Sequence, residues 1–225
     1  MINNRIFRFT AFTLLSGLLA FSMGSDDAMA GKKKRGNDAP TEIVETGISA
    51  FDDTFMQVKT IHGTLDTSET SIKTAETDML TAVGAATDAP LETALADFQS
   101  QAQEFITVEM DGTMPSLNFK PEAPANVQTG VNGINSALGN LKGVIAELET
   151  LPDEVSTLID AATAMPAQVP SAVKDAGLGV KEIRPTTQKV KDNVTVTNQT
   201  PARVESTLGA ATGLVKTVTD TFTAQ

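Results

Sequence analysis

The sequence contains no cysteine, tryptophan or tyrosine, and it has a single histidine, His62. Without cysteine there is no disulfide and no thiol nucleophile, so packing alone must hold the fold together. One histidine leaves little basis for a Ser-His-Asp site, and no phosphate-binding or calcium-binding loop motif occurs. We therefore predict that the protein is not an enzyme. We expect no catalytic, cofactor-binding or metal-binding residues and no small-molecule substrate.

The chain has few basic residues, with 17 Lys and Arg against 28 Asp and Glu and a net charge of −11. A surface of this sign repels a phosphate backbone, which argues against nucleic acid as a partner. The basic cluster at residues 32–35 is too short to reverse this balance. We predict that it belongs to a disordered basic tail, residues 31–39.

The longest apolar run near the amino terminus, residues 9–24, has only sixteen residues. A membrane-spanning helix needs about twenty. Arg5 and Arg8 precede this run, and Ala28-Met29-Ala30 follows it. This order of basic, apolar and small residues is typical of a secretory signal. We predict that residues 1–30 are a signal peptide cleaved near Ala30, so that the mature protein is periplasmic or secreted.

Apolar residues recur at alternating steps of three and four, which is the pattern of amphipathic helices. We predict that residues 40–225 form a single all-helical domain, an elongated bundle or a segmented coiled coil. The first run extends from Val44 to Ala86 without an internal proline, and it predicts one long helix over residues 41–87. A second helix is expected over 89–110, ended by Asp111-Gly112. The three prolines that follow mark 113–123 as a connector.

Residues 124–223 carry the clearest pattern, with twenty Val, Ile, Leu or Phe residues at steps of three and four. We call these residues the seam: Val127, Val131, Ile134, Leu138, Leu141, Ile145, Leu148, Val155, Ile159, Val169, Val173, Val180, Ile183, Val190, Val194, Val204, Leu208, Val215, Val218 and Phe222. So narrow a stripe is typical of coiled coils. Prolines interrupt it, and proline fits the first turn of a helix. We expect helices over 124–150, 152–164, 170–184, 185–194 and 201–223, with a break at 194–197.

Three polar residues occupy one heptad position of the first predicted helix, namely His62, Glu69 and Glu76. Bundle cores can hold metal through Glu-x-x-His pairs, but Lys59 stands where that pattern requires glutamate. We therefore interpret the three residues as polar positions that fix helix register or partner choice.

These features predict a non-enzymatic exported protein that acts by structural assembly or by helix-mediated binding to itself or to another helical protein. The alternative is amphipathic-helix binding to a lipid or other apolar surface. A third class is a periplasmic sensor or stalk module. Phasin-like, apolipoprotein-like and receptor-stalk proteins share this periodicity, so it identifies none of these families. Threonine is abundant, with 31 residues, and on the first helix we expect its hydroxyls to form a solvated face.

Overall fold

The structure is a computed structural model that describes residues 40–223. The described residues belong to one compact unit, residues 39–225. The predicted signal peptide over 1–30 and the predicted tail over 31–39 lie outside the described residues.

Five α-helices and one hairpin make up the described residues. The elements are α1 (Ser49–Ala82), α2 (Leu91–Ala102), β1 (Ile106–Asp111), β2 (Met114–Phe119), α3 (Ala125–Leu148), α4 (Leu151–Asp175) and α5 (Ile183–Thr223), with a 3₁₀ turn at Val180–Glu182 before α5. The predicted helical fold class is therefore confirmed in its main part. The domain is not all-helical, however, because β1 and β2 form a small antiparallel sheet.

The long first helix begins at Ser49, not near residue 41 as predicted. Residues 40–48, which we call the strap, have no regular secondary structure. The chain turns at Gly47, whose φ of 83° belongs to the left-handed region that glycine tolerates. The Asp52 carboxylate accepts hydrogen bonds from the amides of Thr46 at 2.7 Å and of Gly47 at 3.1 Å. This carboxylate in the first turn fixes the start of the helix.

Glycine also ends two helices. Gly84 follows α1 with a φ of 76°, and the next amide, of Ala85, donates to the Leu80 carbonyl at 2.9 Å. Gly177 follows α4 with a φ of 70°, and the Leu178 amide donates to the Val173 carbonyl at 3.0 Å. Both ends are Schellman motifs, which pair carbonyls that a helix terminus leaves free. The predicted end of the first helix at residue 87 is thus five residues too late.

The predicted helix over 89–110 is wrong beyond Ala102, and the predicted connector over 113–123 is largely a strand. Strand β1 begins with Ile106-Thr107-Val108, whose β-branched side chains favour extended backbone. Asp111 pairs with Met114, so a two-residue turn of Gly112 and Thr113 joins the strands. Gly112 has a φ of 64°, as a tight hairpin turn requires at that position.

In residues 124–223, fewer prolines mark the start of a helix than predicted. Pro152 lies in the first turn of α4, as expected for a helix start. Pro166 and Pro170 lie inside α4, however, and Pro201 lies inside α5. The expected break at residues 194–197 is also absent, since α5 is continuous from Ile183 to Thr223. The buried side chains around each proline offset the lost backbone hydrogen bond.

Three clusters of buried side chains lie along α1 and α5, which contribute to all three. The largest joins the carboxyl-terminal half of α1 to α2, the hairpin, α3 and the end of α5. The middle cluster contains the junction of α3 and α4. The third joins the amino-terminal part of α1 to the second half of α4 and the start of α5, with Ile43 of the strap packed against it.

Fourteen of the twenty seam residues are buried, and they make up about a third of the buried apolar side chains. Leu138 and Leu141 are buried in the largest cluster, and Val204 is buried in the middle one. Five others are half-buried, and Val180 is exposed over 82% of its surface. The seams of α3, α4 and α5 therefore pack inside the chain.

Candidate functional site

Two of the three predicted polar positions on α1, His62 and Glu69, contact α5. Half-buried His62 has its Nε2 2.9 Å from the Thr200 hydroxyl. Glu69 is exposed and accepts hydrogen bonds from Arg203 at 3.0 Å and from the Thr207 hydroxyl at 3.3 Å. Glu76 is half-buried two turns further along α1. The three side chains are thus not gathered into one site, since His62 and Glu69 contact different residues of α5.

Arg203 is the centre of this boundary. Its guanidinium donates to the carboxylates of Asp66 and Glu69, which stand one turn apart on α1. Burial lowers the pKa of Arg203, but the hydrogen bonds to Asp66 and Glu69 outweigh it and raise the pKa. Exposed ion pairs contribute little stability, typically about 0–1 kcal/mol. Because the Arg203 guanidinium bonds to two carboxylates of α1, it fixes the position of α5 relative to α1.

The surroundings of His62 disfavour its protonated form and lower its pKa. Burial lowers its pKa from the usual 6.5, and the positive charge of Arg203 lowers it further, while Asp66 acts in the opposite sense. A neutral imidazole can form one hydrogen bond with the Thr200 hydroxyl, and the histidine tautomer determines which of the two groups donates it. In residues 40–223 no group of three or more His, Asp or Glu side chains is placed to hold a metal ion.

A groove of about 420 Å³ lies between the end of α1, α2 and the start of α3. Among its lining residues are Thr81, Asp97, Phe98, Gln101 and Asn126. Asp97 is the only ionisable side chain of the lining, so the groove holds no acid–base pair. At its edge the Phe98 ring of α2 lies against Gly130 of α3, where a side chain would collide with the ring.

The threonines on the exposed surface of α1 bond to their own helix. The hydroxyls of Thr60, Thr67 and Thr81 each donate to the carbonyl four residues earlier, at 2.9–3.0 Å. The same bond lets Thr197 lie fully buried in α5, where its hydroxyl donates to the Asn193 carbonyl at 2.8 Å. Threonine thus packs here as a branched side chain whose polar atom is satisfied locally.

Two asparagines hold extended backbone against the helices by the same pair of hydrogen bonds. Asn193 of α5 accepts from the Val44 amide at 2.9 Å and donates to the Val44 carbonyl at 2.7 Å. Asn135 of α3 accepts from the Leu117 amide at 2.9 Å and donates to the Leu117 carbonyl at 2.7 Å. Each amide replaces the neighbouring strand that the extended residue lacks. We call these pairs the strap clamp and the hairpin clamp.

The hairpin clamp identifies the outer edge of β2. In an antiparallel pair, the backbone N–H and C=O groups of successive residues point alternately toward the partner strand and away from it. We call residues of the second kind outward-facing. Leu117 bonds to Asn135, so Leu117 and its partner Val108 belong to an outward-facing pair. Pro115 has no N–H at the next outward-facing position of β2. The outer edge of β2 is therefore covered by α3 at one position and lacks a donor at another.

The outer edge of β1 has no hydrogen-bond partner among the described residues. By the same alternation, the backbone N–H and C=O groups point away from β2 at Ile106, Val108 and Met110. No other described residue donates a hydrogen bond to their outward carbonyls or accepts one from their outward amides. Strand β1 packs mainly on β2, whereas β2 also packs on α3 and α5. A strand edge with free donors and acceptors is a ready template for another extended chain.

Side chains along β1 make this edge partly apolar. Ile106, Val108 and Met110 lie on one face of the strand, and they become steadily more exposed toward the turn. Met110 has 48% of its surface exposed. The opposite face carries Thr107 and Glu109. This edge is the strongest candidate for a functional site in the described part of the chain.

The chain matches no protein-family model, no curated protein and no solved structure. Among residues 40–223, no helix combines the length and the apolar character that a membrane crossing requires.

Sequence reasoning did not find the two clamps or the open edge. Asn193 begins an Asn-x-Thr sequence, but its side chain is fully buried and holds the strap. Nothing in the local sequence distinguishes Asn135 from exposed asparagines such as Asn140. The open edge did have a signal, since Asp111-Gly112 follows a β-branched run.

Proposed function

We propose that the protein is an exported, non-enzymatic structural protein that acts by associating with another protein chain, either a second copy or another helical protein. The observation that carries this proposal is the open edge of β1, where outward backbone groups have no partner among the described residues. A strand edge recognises another chain through its main-chain hydrogen bonds, without a pocket or a reacting group.

The helices contribute to this function as a scaffold. Their seams are occupied by contacts inside the chain, so a partner meets the hairpin and the outer surfaces of the helices. We propose that α1, α5 and the successive helices α3 and α4 pack as an elongated helical bundle. Helix α5 alone, with 41 residues, is about 62 Å long. A rigid body of this length would hold the hairpin at a fixed position for assembly.

Sedimentation equilibrium of the chain from residue 31 onward tests this function. That chain includes the whole compact unit over residues 39–225. We expect an average mass that exceeds the monomer mass and rises with concentration, because association follows mass action. A constant monomer mass at every concentration would remove self-assembly as the function.

A second candidate, binding to a lipid surface, is favoured by one feature. Leu178 and Val180 are exposed in the connection between α4 and α5, and the basic residues Lys181 and Arg184 follow them. Two apolar side chains give little anchoring, and an acidic protein is repelled by anionic bilayers. We therefore expect no co-sedimentation of residues 39–225 with vesicles of anionic phospholipid at physiological salt. Binding that Val180→Asp abolishes would make the lipid surface the leading function.

A further inference from the structure

We propose that β1 pairs antiparallel with β1 of a second copy of this chain, about a two-fold axis at Val108. This inference deepens the proposed function and rests on it. The two hairpins would join into one four-stranded sheet, with the two β1 strands at its centre. Each chain would supply the free backbone groups of Ile106, Val108 and Met110.

The backbone geometry of β1 suits this arrangement. In a pairing centred on Val108, each Val108 faces its copy and Ile106 faces Met110. All three are outward-facing residues, so each facing pair exchanges two hydrogen bonds. A centre on Thr107 would pair only Ile106 with Val108, and a centre on Glu109 would pair only Val108 with Met110. An axis between two residues would bring outward-facing residues opposite residues that already bond to β2, so the alternation places the axis on a residue.

Charge and length choose among the centres from Ile106 to Met110. A centre on Thr107 pairs two outward-facing residues of each chain, and a centre on Glu109 places two Glu109 side chains opposite each other. A centre on Met110 would place Glu109 directly opposite Asp111, and facing like charges destabilise a sheet. A centre on Ile106 would leave Met110 beyond the paired region. The centre on Val108 places Glu109 opposite Thr107 and pairs three residues of each chain. This register has the most hydrogen bonds and no directly facing like charges.

The side chains agree with this register. Val108 would contact its copy, and exposed Met110 would lie beside Ile106 of the second chain, because facing residues of an antiparallel pair share one side of the sheet. The apolar face of each hairpin would thus continue into the other. Burial of Met110 would explain why a large apolar side chain is exposed beside the hairpin turn.

Disulfide trapping tests the register directly, because the natural chain has no cysteine. Facing residues that exchange hydrogen bonds have Cα atoms about 5.5 Å apart, within the range of a disulfide. In the chain from residue 31 onward, Val108→Cys should therefore form a disulfide-linked dimer in a glutathione redox buffer. Thr107→Cys is the matched control, since two copies of residue 107 stand diagonally apart. We expect it to cross-link at least roughly tenfold more slowly.

Edge variants test whether this contact holds the assembly. Met110→Pro removes an outward N–H and leaves the bonds between β1 and β2 in place, as Pro115 does on β2. Val108→Lys would bring two positive charges together at the axis. We expect each variant to weaken self-association by roughly tenfold or more. Met56→Ala, which alters an exposed methionine of α1, should leave it unchanged. Circular dichroism should show that all three variants keep their helices.

The outcomes separate the two proposals. Preferential cross-linking through residue 108, together with weaker association of the edge variants, supports the pairing. Association that persists in both edge variants, or equal cross-linking at residues 107 and 108, would overturn the pairing and leave the proposed assembly function intact. A wild-type chain that remains monomeric and a Val108→Cys variant that does not cross-link would overturn the pairing and also remove self-assembly as the function.

Discussion

The strap end and the hairpin end of the molecule use the same device for different purposes. At each end one asparagine of a helix forms two hydrogen bonds to the backbone of one extended residue. The Asn193 side chain is fully buried, whereas that of Asn135 is half-buried. The strap clamp holds residues 40–48 against a buried cluster. The hairpin clamp covers the outer edge of β2, and no described residue bonds to the outer edge of β1. The surroundings of an identical hydrogen-bond pair therefore decide what the pair does.

The strap clamp should show the larger energetic effect. Asn193→Ala leaves the amide and carbonyl of Val44 without their partner and leaves a cavity where the fully buried Asn193 side chain lay. We expect a loss of about 2–4 kcal/mol in the free energy of unfolding, measured by urea denaturation. The control is Asn198→Ala, at an exposed position of the same helix, which should change stability by less than about 0.5 kcal/mol. Equal effects of the two substitutions would show that the strap is not held by Asn193.

Packing at the hairpin end can be tested with two glycines of α3. Gly130→Ala forces the Phe98 ring to move, and this ring already packs edge-on against Phe222. We expect a loss of about 1–3 kcal/mol in the free energy of unfolding, as for other overpacked cores. Gly139→Ala meets open space and should raise stability by up to about 1 kcal/mol, since alanine favours helices. Thermal denaturation of the two variants should therefore give shifts of opposite sign.

The hairpin clamp should show a smaller effect than the strap clamp. Asn135→Ala leaves the Leu117 backbone groups without Asn135, but water can approach a half-buried site and replace part of the lost bonding. We expect a loss of about 1–2 kcal/mol by urea denaturation, with exposed Asn140→Ala as the control. Because the clamps lie in different regions, the effects of Asn135→Ala and Asn193→Ala should add within about 0.5 kcal/mol. Strong non-additivity would mean that the two ends are coupled.

The smallest expected effect lies between the two ends, at His62. Its pKa is lowered in the folded protein, so the folded state binds a proton less readily than the unfolded state. Stability should therefore be fully present above the unfolded pKa of about 6.5 and should fall as the pH drops below it. Between pH 7.5 and 5.5 the wild type should lose more stability than His62→Gln in urea denaturation. Equal losses would show that the His62 surroundings do not disfavour its charge.

The sequence predicts the helical core better than the ends. Periodic apolar residues such as Leu138, Leu141 and Val204 are buried as expected, because a narrow stripe can be satisfied only by burial. The prediction that each proline marks a helix start was wrong for Pro166 and Pro201, which lie inside helices. Proline predicts a helix start only where packing on either side does not outweigh the lost hydrogen bond.

The extended segments could have been predicted only in part. Ile106-Thr107-Val108 and the Asp111-Gly112 turn gave a local signal for the hairpin, which the preceding helical periodicity hid. The strap had no such signal, because Val44 and Ile48 fit the spacing of the helix that follows. Its path depends on Asn193, which lies 149 residues away in the sequence. Contacts at such separations follow from the assembled fold and cannot be read from a local pattern.

Pro115 has a consequence for how far assembly could proceed. A strand with two open edges can add copies without end, as fibrils do. In this hairpin the outer edge of β2 offers no donor at Pro115, and Asn135 occupies it at Leu117. Each hairpin can therefore be extended on one side alone, and a two-fold pair consumes both of its free sides. In the proposed pairing the result would be a closed dimer with no growing end, so the edge that would permit association would also limit it to a single partner.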